Sequence, residues 1–164
     1  DLILKLEKTE KKIILIGVSY ALLDFIEKLP LKTKNLTIIE TGGMKGRRKE
    51  ITREELHYKL QKGFNSKNIR SEYGMTELLS QAYSKRNGVF RTPSWLKVFV
   101  RDTNNPFSVK SKGRGALNFI DLANINSCSF IASDDLGEIY QDSSFKVLGR
   151  LSDSEIRGCN LMFN

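Results

Sequence analysis

The chain has little that could cross-link it, bind zinc or anchor it in a membrane. Two cysteines, Cys128 and Cys159, occur in 164 residues. That excludes a disulfide framework of the kind small secreted domains depend on, and both are expected as free thiols in a reducing compartment. The single histidine, His57, has no cysteine at metal-ligand spacing, which excludes a zinc site. No Gly-x-Ser-x-Gly elbow is present, so α/β-hydrolase chemistry lacks its nucleophile turn. No apolar run approaches the roughly 20 residues that cross a bilayer. The charged opening, with Lys5, Glu7, Lys8, Glu10, Lys11 and Lys12, lacks the apolar core of a secretory signal. No repeat or low-complexity tract breaks the sequence. The expectation is a cytoplasmic protein without a membrane span.

The composition, 40% hydrophobic and 28% charged, is that of a globular domain. A chain of this size buries about two thirds of the surface its unfolded form exposes. Basic residues outnumber acidic ones, 27 to 19, for a net charge of +8. This favours anionic partners: nucleotide phosphates, nucleic acid or an acidic protein surface. Lys45, Arg47, Arg48, Lys49 and Arg53 cluster around one loop. No aromatic residues interleave with them as a nucleic-acid stacking platform requires. Nucleic acid is therefore not an expected partner, and a basic binding module is the minor alternative.

Ile13 to Val18 is an apolar, β-branched run that predicts a strand buried on both faces. Ser19 is placed to cap a helix with apolar residues at helical spacing from Tyr20 to Leu29, stopped by Pro30. Leu36 to Glu40 reads as the next strand, so the order predicts a parallel pair with a helix across one face. Thr52, with Glu55 three residues on, is a capping box for a helix to about Gly63. A short helix is expected from Thr76 to Tyr83. Beyond Gly88, short apolar runs separated by Gly, Asn, Asp and Ser predict strands: Trp95 to Val100, Gly115 to Asp121, Ser129 to Ala132, Glu138 to Tyr140 and Phe145 to Leu148. The fold class is α/β, with a parallel sheet and flanking helices in the first half and a mainly antiparallel β second half. Two parts are expected, an α/β nucleotide-binding part over 1–88 and a mainly β part over 89–164.

Chemistry concentrates in four segments. Glu40-Thr41-Gly42-Gly43-Met44-Lys45-Gly46 puts paired glycines after a strand, where a flat purine can lie against backbone; the plainer reading is a turn needing positive φ. Ser71-Glu72-Tyr73-Gly74-Met75-Thr76-Glu77 offers an aromatic face in Tyr73, a turn at Gly74, a hydroxyl in Thr76 and a hard oxygen ligand for Mg²⁺ in Glu77. Its plainer reading is a helix start with Tyr73 in the core. Ser133-Asp134-Asp135-Leu136-Gly137-Glu138 supplies Asp135 to accept from both ribose hydroxyls, or else a turn between two strands. Leu148-Gly149-Arg150 supplies a fork of donors for ribose and phosphate, or else a solvated turn. His57 is expected as a surface or half-buried helix residue, and Cys128 as structural.

In their order, these segments resemble the adenylate-forming (acyl-CoA synthetase-like) superfamily. More narrowly they resemble the acyl-protein synthetases of bacterial bioluminescence fatty-acid reductase systems, with Ile156-Arg157-Gly158-Cys159-Asn160-Leu161-Met162 adding to the narrower likeness. The resemblance spans nearly the whole chain. It implies that ATP and Mg²⁺ activate a fatty acid as an acyl-adenylate, that the acyl group moves to a cysteine matched by Cys159, and that an acyl-CoA reductase-like partner receives it. It assigns Thr76 and Glu77 with Cys159 to catalysis, Glu77 to the metal, and Gly42, Gly43, Tyr73, Gly74, Asp135 and Arg150 to the nucleotide. Arg150 and Arg157 would lower the Cys159 pKa; the plainer reading is a small buried hydrophobe.

The Ser/Thr/Gly-rich phosphate loop of that superfamily is absent, so the chain is expected to be the carboxyl-terminal portion of a longer enzyme and inactive in isolation. After Gly149-Arg150 the sequence does not run on into the Asp-rich hinge and lysine-bearing small domain of acyl-CoA ligases. Either that domain was cut off or it never existed; the resemblance to acyl-protein synthetases, which end close to this point, favours the second and puts CoA ligation in doubt. An acyl- or aryl-CoA ligase of the phenylacetate-CoA ligase type is the nearest alternative, distinguished by its acceptor.

Overall fold

The computed structural model describes residues 2–9, 11–29 and 35–151 of the chain. They form two compact units. The first comprises the described residues up to Ser71 together with Lys85–Asn87; the second comprises Glu72–Ser84 and the described residues from Gly88 onward. The boundary falls inside one strand.

The first unit opens with a short helix, α1 (Leu2–Glu7), where sequence suggested only a charged lead-in. Then come β1 (Ile13–Val18), α2 (Ser19–Lys28), β2 (Leu36–Thr41), α3 (Arg53–Phe64) and β3 (Ile69–Tyr73). β1, β2 and β3 pair in parallel, Ile13 opposite Leu36 and Ile38 opposite Ile69. Parallel strands need a crossover, and α2 and α3 supply the two. Leu22 and Leu23 of α2 and Leu56, Leu60 and Phe64 of α3 meet Leu36, Ile38 and Ile69 in one buried cluster. Phe25 stacks on Phe64 at 5.7 Å between centroids.

Three local expectations need correction. β1 is not buried on both faces: Ile14 and Ile16 are 61% and 56% exposed. As the end strand of its set, β1 is covered by helix only on its Ile13 face. Ser19 is not the cap of α2 but its first residue, Val18 being the cap. The hydroxyl of Ser19 reaches across the sheet instead, donating to Glu40 Oε2 at 2.9 Å. Thr52 does cap α3, accepting from the Glu55 amide at 3.1 Å, and Asn65 closes the helix in the left-handed conformation.

The second unit is built of β4 (Ala82–Ser84), β5 (Val89–Arg91), β6 (Leu96–Arg101), β7 (Val109–Lys110), β8 (Gly113–Asp121), β9 (Phe130–Ile139) and β10 (Phe145–Arg150). The antiparallel order is β4-β5-β10-β9-β8-β6-β7. Its core gathers Tyr73, Phe90, Phe119 and Phe145 with Leu96, Val98, Val100, Leu117 and Val147. The α/β class, parallel first and antiparallel after, is as expected.

Two corrections apply here as well. Residues 76–83 form no helix: a turn closes at Leu78 N–Met75 O, 3.1 Å, and β4 follows. The expected strands 129–132 and 138–140 are one strand, β9, continuing through Ser133–Gly137 with a shift of register against β8 there. The Asp-Asp-x-Gly turn is therefore strand. Ser133 Oγ donates to Leu117 O at 2.9 Å and accepts from the Asp135 amide at 3.3 Å, tying that stretch to β8.

Candidate nucleotide site

Pairing of β9 with β10 sets Arg150 opposite Asp135, after a register shift between Val147 and Gly149. Gly137 lets the strands come this close: a Cβ there would lie 2.7 Å from Lys146 O and 2.6 Å from Leu117 Cδ2. The result is a carboxylate held from two sides. Tyr73 OH donates to Asp135 Oδ2 at 2.6 Å. Arg150 Nε donates to Asp135 Oδ1 at 2.9 Å. Asp135 is only 4% exposed, and a charge-assisted pair of this kind is strong once water is excluded. A carboxylate has about four acceptor positions, so two donors leave room for more.

The ring of Tyr73 does not stand free. It stacks on Phe119 at 5.7 Å, meets Phe145 edge-on at 5.7 Å and is tilted against Phe90 at 5.8 Å. A ring 5% exposed offers no open face to a purine in this arrangement, and its contribution to the cluster is its hydroxyl. Thr76 and Glu77 lie on the exposed side of the turn after Gly74. Among the described residues no three His, Cys, Asp or Glu side chains gather as a metal site. Mg²⁺ is ordinarily held by one or two carboxylates together with substrate phosphates, so an exposed Glu77 beside a hydroxyl fits that donor set.

What holds this turn in place was not legible in the sequence. Asp121, fully buried at the end of β8, accepts from the amides of Leu79 at 3.0 Å and Ser80 at 2.9 Å through Oδ2. Its Oδ1 accepts from Ser80 Oγ at 2.7 Å and the Ala123 amide at 3.1 Å. Trp95 Nε1 donates to Ser80 Oγ at 3.0 Å, and Asn124 Nδ2 donates to Glu77 O at 2.8 Å. Burial pushes the Asp121 carboxyl up, but the donors from Ser80, Ala123 and Leu79 outweigh it and hold the group below its ordinary value.

In the first unit, Gly42 and Gly43 both take left-handed backbone, φ 71° and 61°, as the turn reading requires. Beside them Glu40, 2% exposed, accepts from Ser19 and lies 3.3 Å from His57 Nε2. His57 Nε2 is also 3.1 Å from Ser71 Oγ. Burial raises the Glu40 carboxyl, while His57, Ser71 and Arg53 bring it below its usual value. A nucleophile relay needs the two imidazole nitrogens to face different partners; here one nitrogen faces both, so this trio braces the strand ends. The basic loop is largely turned on its own chain. Arg48 pairs with Asp24 and Glu27, and Arg47 lies over the Tyr20 ring at 5.2 Å.

Cys128 is exposed rather than packed, its Sγ 3.2 Å from Phe130 O. Cys159, Arg157 and the rest of the tail lie outside the described residues.

The strand order and the paired segments define the class: the chain has the fold of adenylate-forming ligases. It is similar to ATP-bound MatB from Rhodopseudomonas palustris at 16% identity and TM-score 0.64, over 92% of this chain and 33% of that one. It is similar to the O-succinylbenzoate coenzyme A synthetase of Bacillus subtilis in complex with ATP and magnesium ion, at 17% identity and TM-score 0.59, over 88% and 33%. Coronafacic acid ligase from Pectobacterium brasiliense gives 17% and 0.60 over 90% and 32%. The chain thus spans about a third of the length of these proteins. No curated protein matches it in sequence. Within the class the chain belongs to the acyl-protein synthetase family, LuxE, which matches residues 2–164.

Proposed function

We propose that the chain is part of an enzyme that activates a fatty acid with ATP and passes the acyl group to Cys159 and then to an acyl-CoA reductase-like partner. The observation that carries the reading is the buried Asp135, oriented by Tyr73 and Arg150, in a chain of the acyl-protein synthetase family. Asp135 accepts the ribose hydroxyls, and Arg150 holds Asp135 and supplies charge toward the nucleotide. Gly42 and Gly43 keep the adenine role the sequence resemblance implies. Thr76 would offer its hydroxyl to a phosphate oxygen, and Glu77 would hold Mg²⁺, which would supply charge neutralisation on the phosphates.

In the first step a carboxylate oxygen of the fatty acid attacks the α-phosphorus of ATP. The bond to the bridging oxygen breaks, and pyrophosphate leaves with the electron pair. Cationic and hydrogen-bonding groups act by positioning the reactants and meeting the charge that develops. In the second step the Cys159 thiolate attacks the acyl carbonyl carbon and AMP departs, leaving a thioester. The reaction belongs in the cytoplasm, where the thiol stays reduced.

The test is the intact mass of the full-length enzyme after incubation with ATP, Mg²⁺ and a long-chain fatty acid without coenzyme A. A hydroxylamine-labile acyl adduct mapped to Cys159, lost in Cys159→Ser while acyl-adenylate still forms, is the expected result. AMP release only on adding coenzyme A would make the enzyme a CoA ligase and Cys159 a structural residue.

A further inference from the structure

Among the described residues, some basic side chains are paired with carboxylates. Arg48 holds Asp24 and Glu27, Lys59 holds Glu55, Arg91 holds Asp142, and Arg114 holds Glu138. Other basic side chains gather around a concave surface. In the first unit a recess of about 480 Å³ lies along α3, lined by Arg53, Glu54, His57, Tyr58, Lys67 and Arg86 among others. Lys67 and Arg86 make no ion pair or hydrogen bond among the described residues. Arg53 and His57 line the same wall with side chains 13% exposed, both fixed from behind by Glu40 at 3.9 Å and 3.3 Å. Glu54 is the one carboxylate among the residues lining it, so positive charge is in excess.

We infer that this recess binds a small phosphorylated anion carrying two or more negative charges. Its size falls within the roughly 300–1,000 Å³ of small-ligand sites. Two guanidinium groups, one ammonium and an imidazole are the donors that recognise phosphoryl oxygens. A concave wall suits a compact anion better than an extended nucleic-acid strand, which needs a continuous groove and stacking rings. The site uses none of the residues assigned to the nucleotide.

His57 is the only histidine in the chain, so its ring protons give resonances free of overlap from other imidazoles. Titrating the 164-residue chain with inorganic pyrophosphate at constant ionic strength should shift them saturably. Orthophosphate should bind more weakly, and acetate should produce no saturable shift. Lys67→Gln/Arg86→Gln, both at exposed positions, should weaken pyrophosphate binding by about tenfold or more, with an unchanged thermal melt in the absence of ligand. Lys97→Gln/Lys110→Gln removes the same charge from the second unit and should leave binding within about twofold. Absence of a saturable His57 shift, equal weakening by both double variants, or acetate binding as well as pyrophosphate would overturn the assignment.

Discussion

At the scale of single residues, the two carboxylates Asp135 and Asp121 do different work with the same chemistry. Asp135 is held by one donor from β3 and one from β10 and keeps capacity for a ligand, whereas Asp121 has its oxygens filled by four donors from its own chain. Tyr73→Phe keeps the ring among Phe90, Phe119 and Phe145 and removes a hydrogen bond to a buried charge. It should cost about 2 kcal/mol in urea unfolding. Asp121→Ala strands the buried Ser80 amide and hydroxyl together with the Leu79 and Ala123 amides, and should cost roughly 3 kcal/mol or more by the same measurement. Asp121 and Glu40 are both held below their ordinary values, so the folded chain binds fewer protons than the unfolded one. Their stabilisation is complete above the unfolded carboxylate values near 4 and is lost as pH falls through the folded ones. The urea midpoint should therefore drop on acidification below about pH 4, and less steeply in Asp121→Asn. A midpoint independent of pH there would contradict this. Asp135 and Arg150 were visible in the sequence because their neighbours form a recognisable run. Asp121 was not, because its partner Ser80 is 41 residues away, and the same distance problem hid Glu40, His57 and Ser71.

At the scale of elements, local signals were reliable where the cause is local. The capping box at Thr52 sits where the helix starts, because cap and amide are three residues apart; Thr52→Ala should lower stability by about 1 kcal/mol, read from the urea midpoint. The segment 76–83 carried the same kind of signal and failed. The Leu79 and Ser80 amides go to the Asp121 carboxylate instead of into a helix, a tertiary override that no window of sequence contains. Likewise polar Ser133, Asp134 and Asp135 read as a break between strands, yet Ser133 and Asp135 find buried partners and β9 continues through them. Gly137 marks the same place. Gly137→Ala would put a Cβ against Lys146 O, forcing β9 from β10 and costing about 2 kcal/mol or more. That change should also weaken nucleotide binding, because it displaces Arg150 from Asp135. Unaltered nucleotide affinity in a destabilised Gly137→Ala chain would separate the β9–β10 spacing from function.

At the scale of the whole molecule, class and fold were legible because ordered motifs and the shift from strand-helix alternation to short strands survive at low identity. The boundary between the two units falls inside β3. The chain covers about a third of the ligases it resembles in fold, and residues 1–41 contain no Ser/Thr/Gly-rich phosphate loop. Residues 1–164 alone should therefore form little or no acyl-adenylate. The most direct test is fatty-acid-dependent exchange of labelled pyrophosphate into ATP by the full-length enzyme, comparing the native residue with Asp135→Asn under conditions where both are folded. The account predicts exchange that requires fatty acid and Mg²⁺ and falls about a hundredfold in the variant. Undiminished exchange in Asp135→Asn, or none with any fatty acid in the native enzyme, would contradict it.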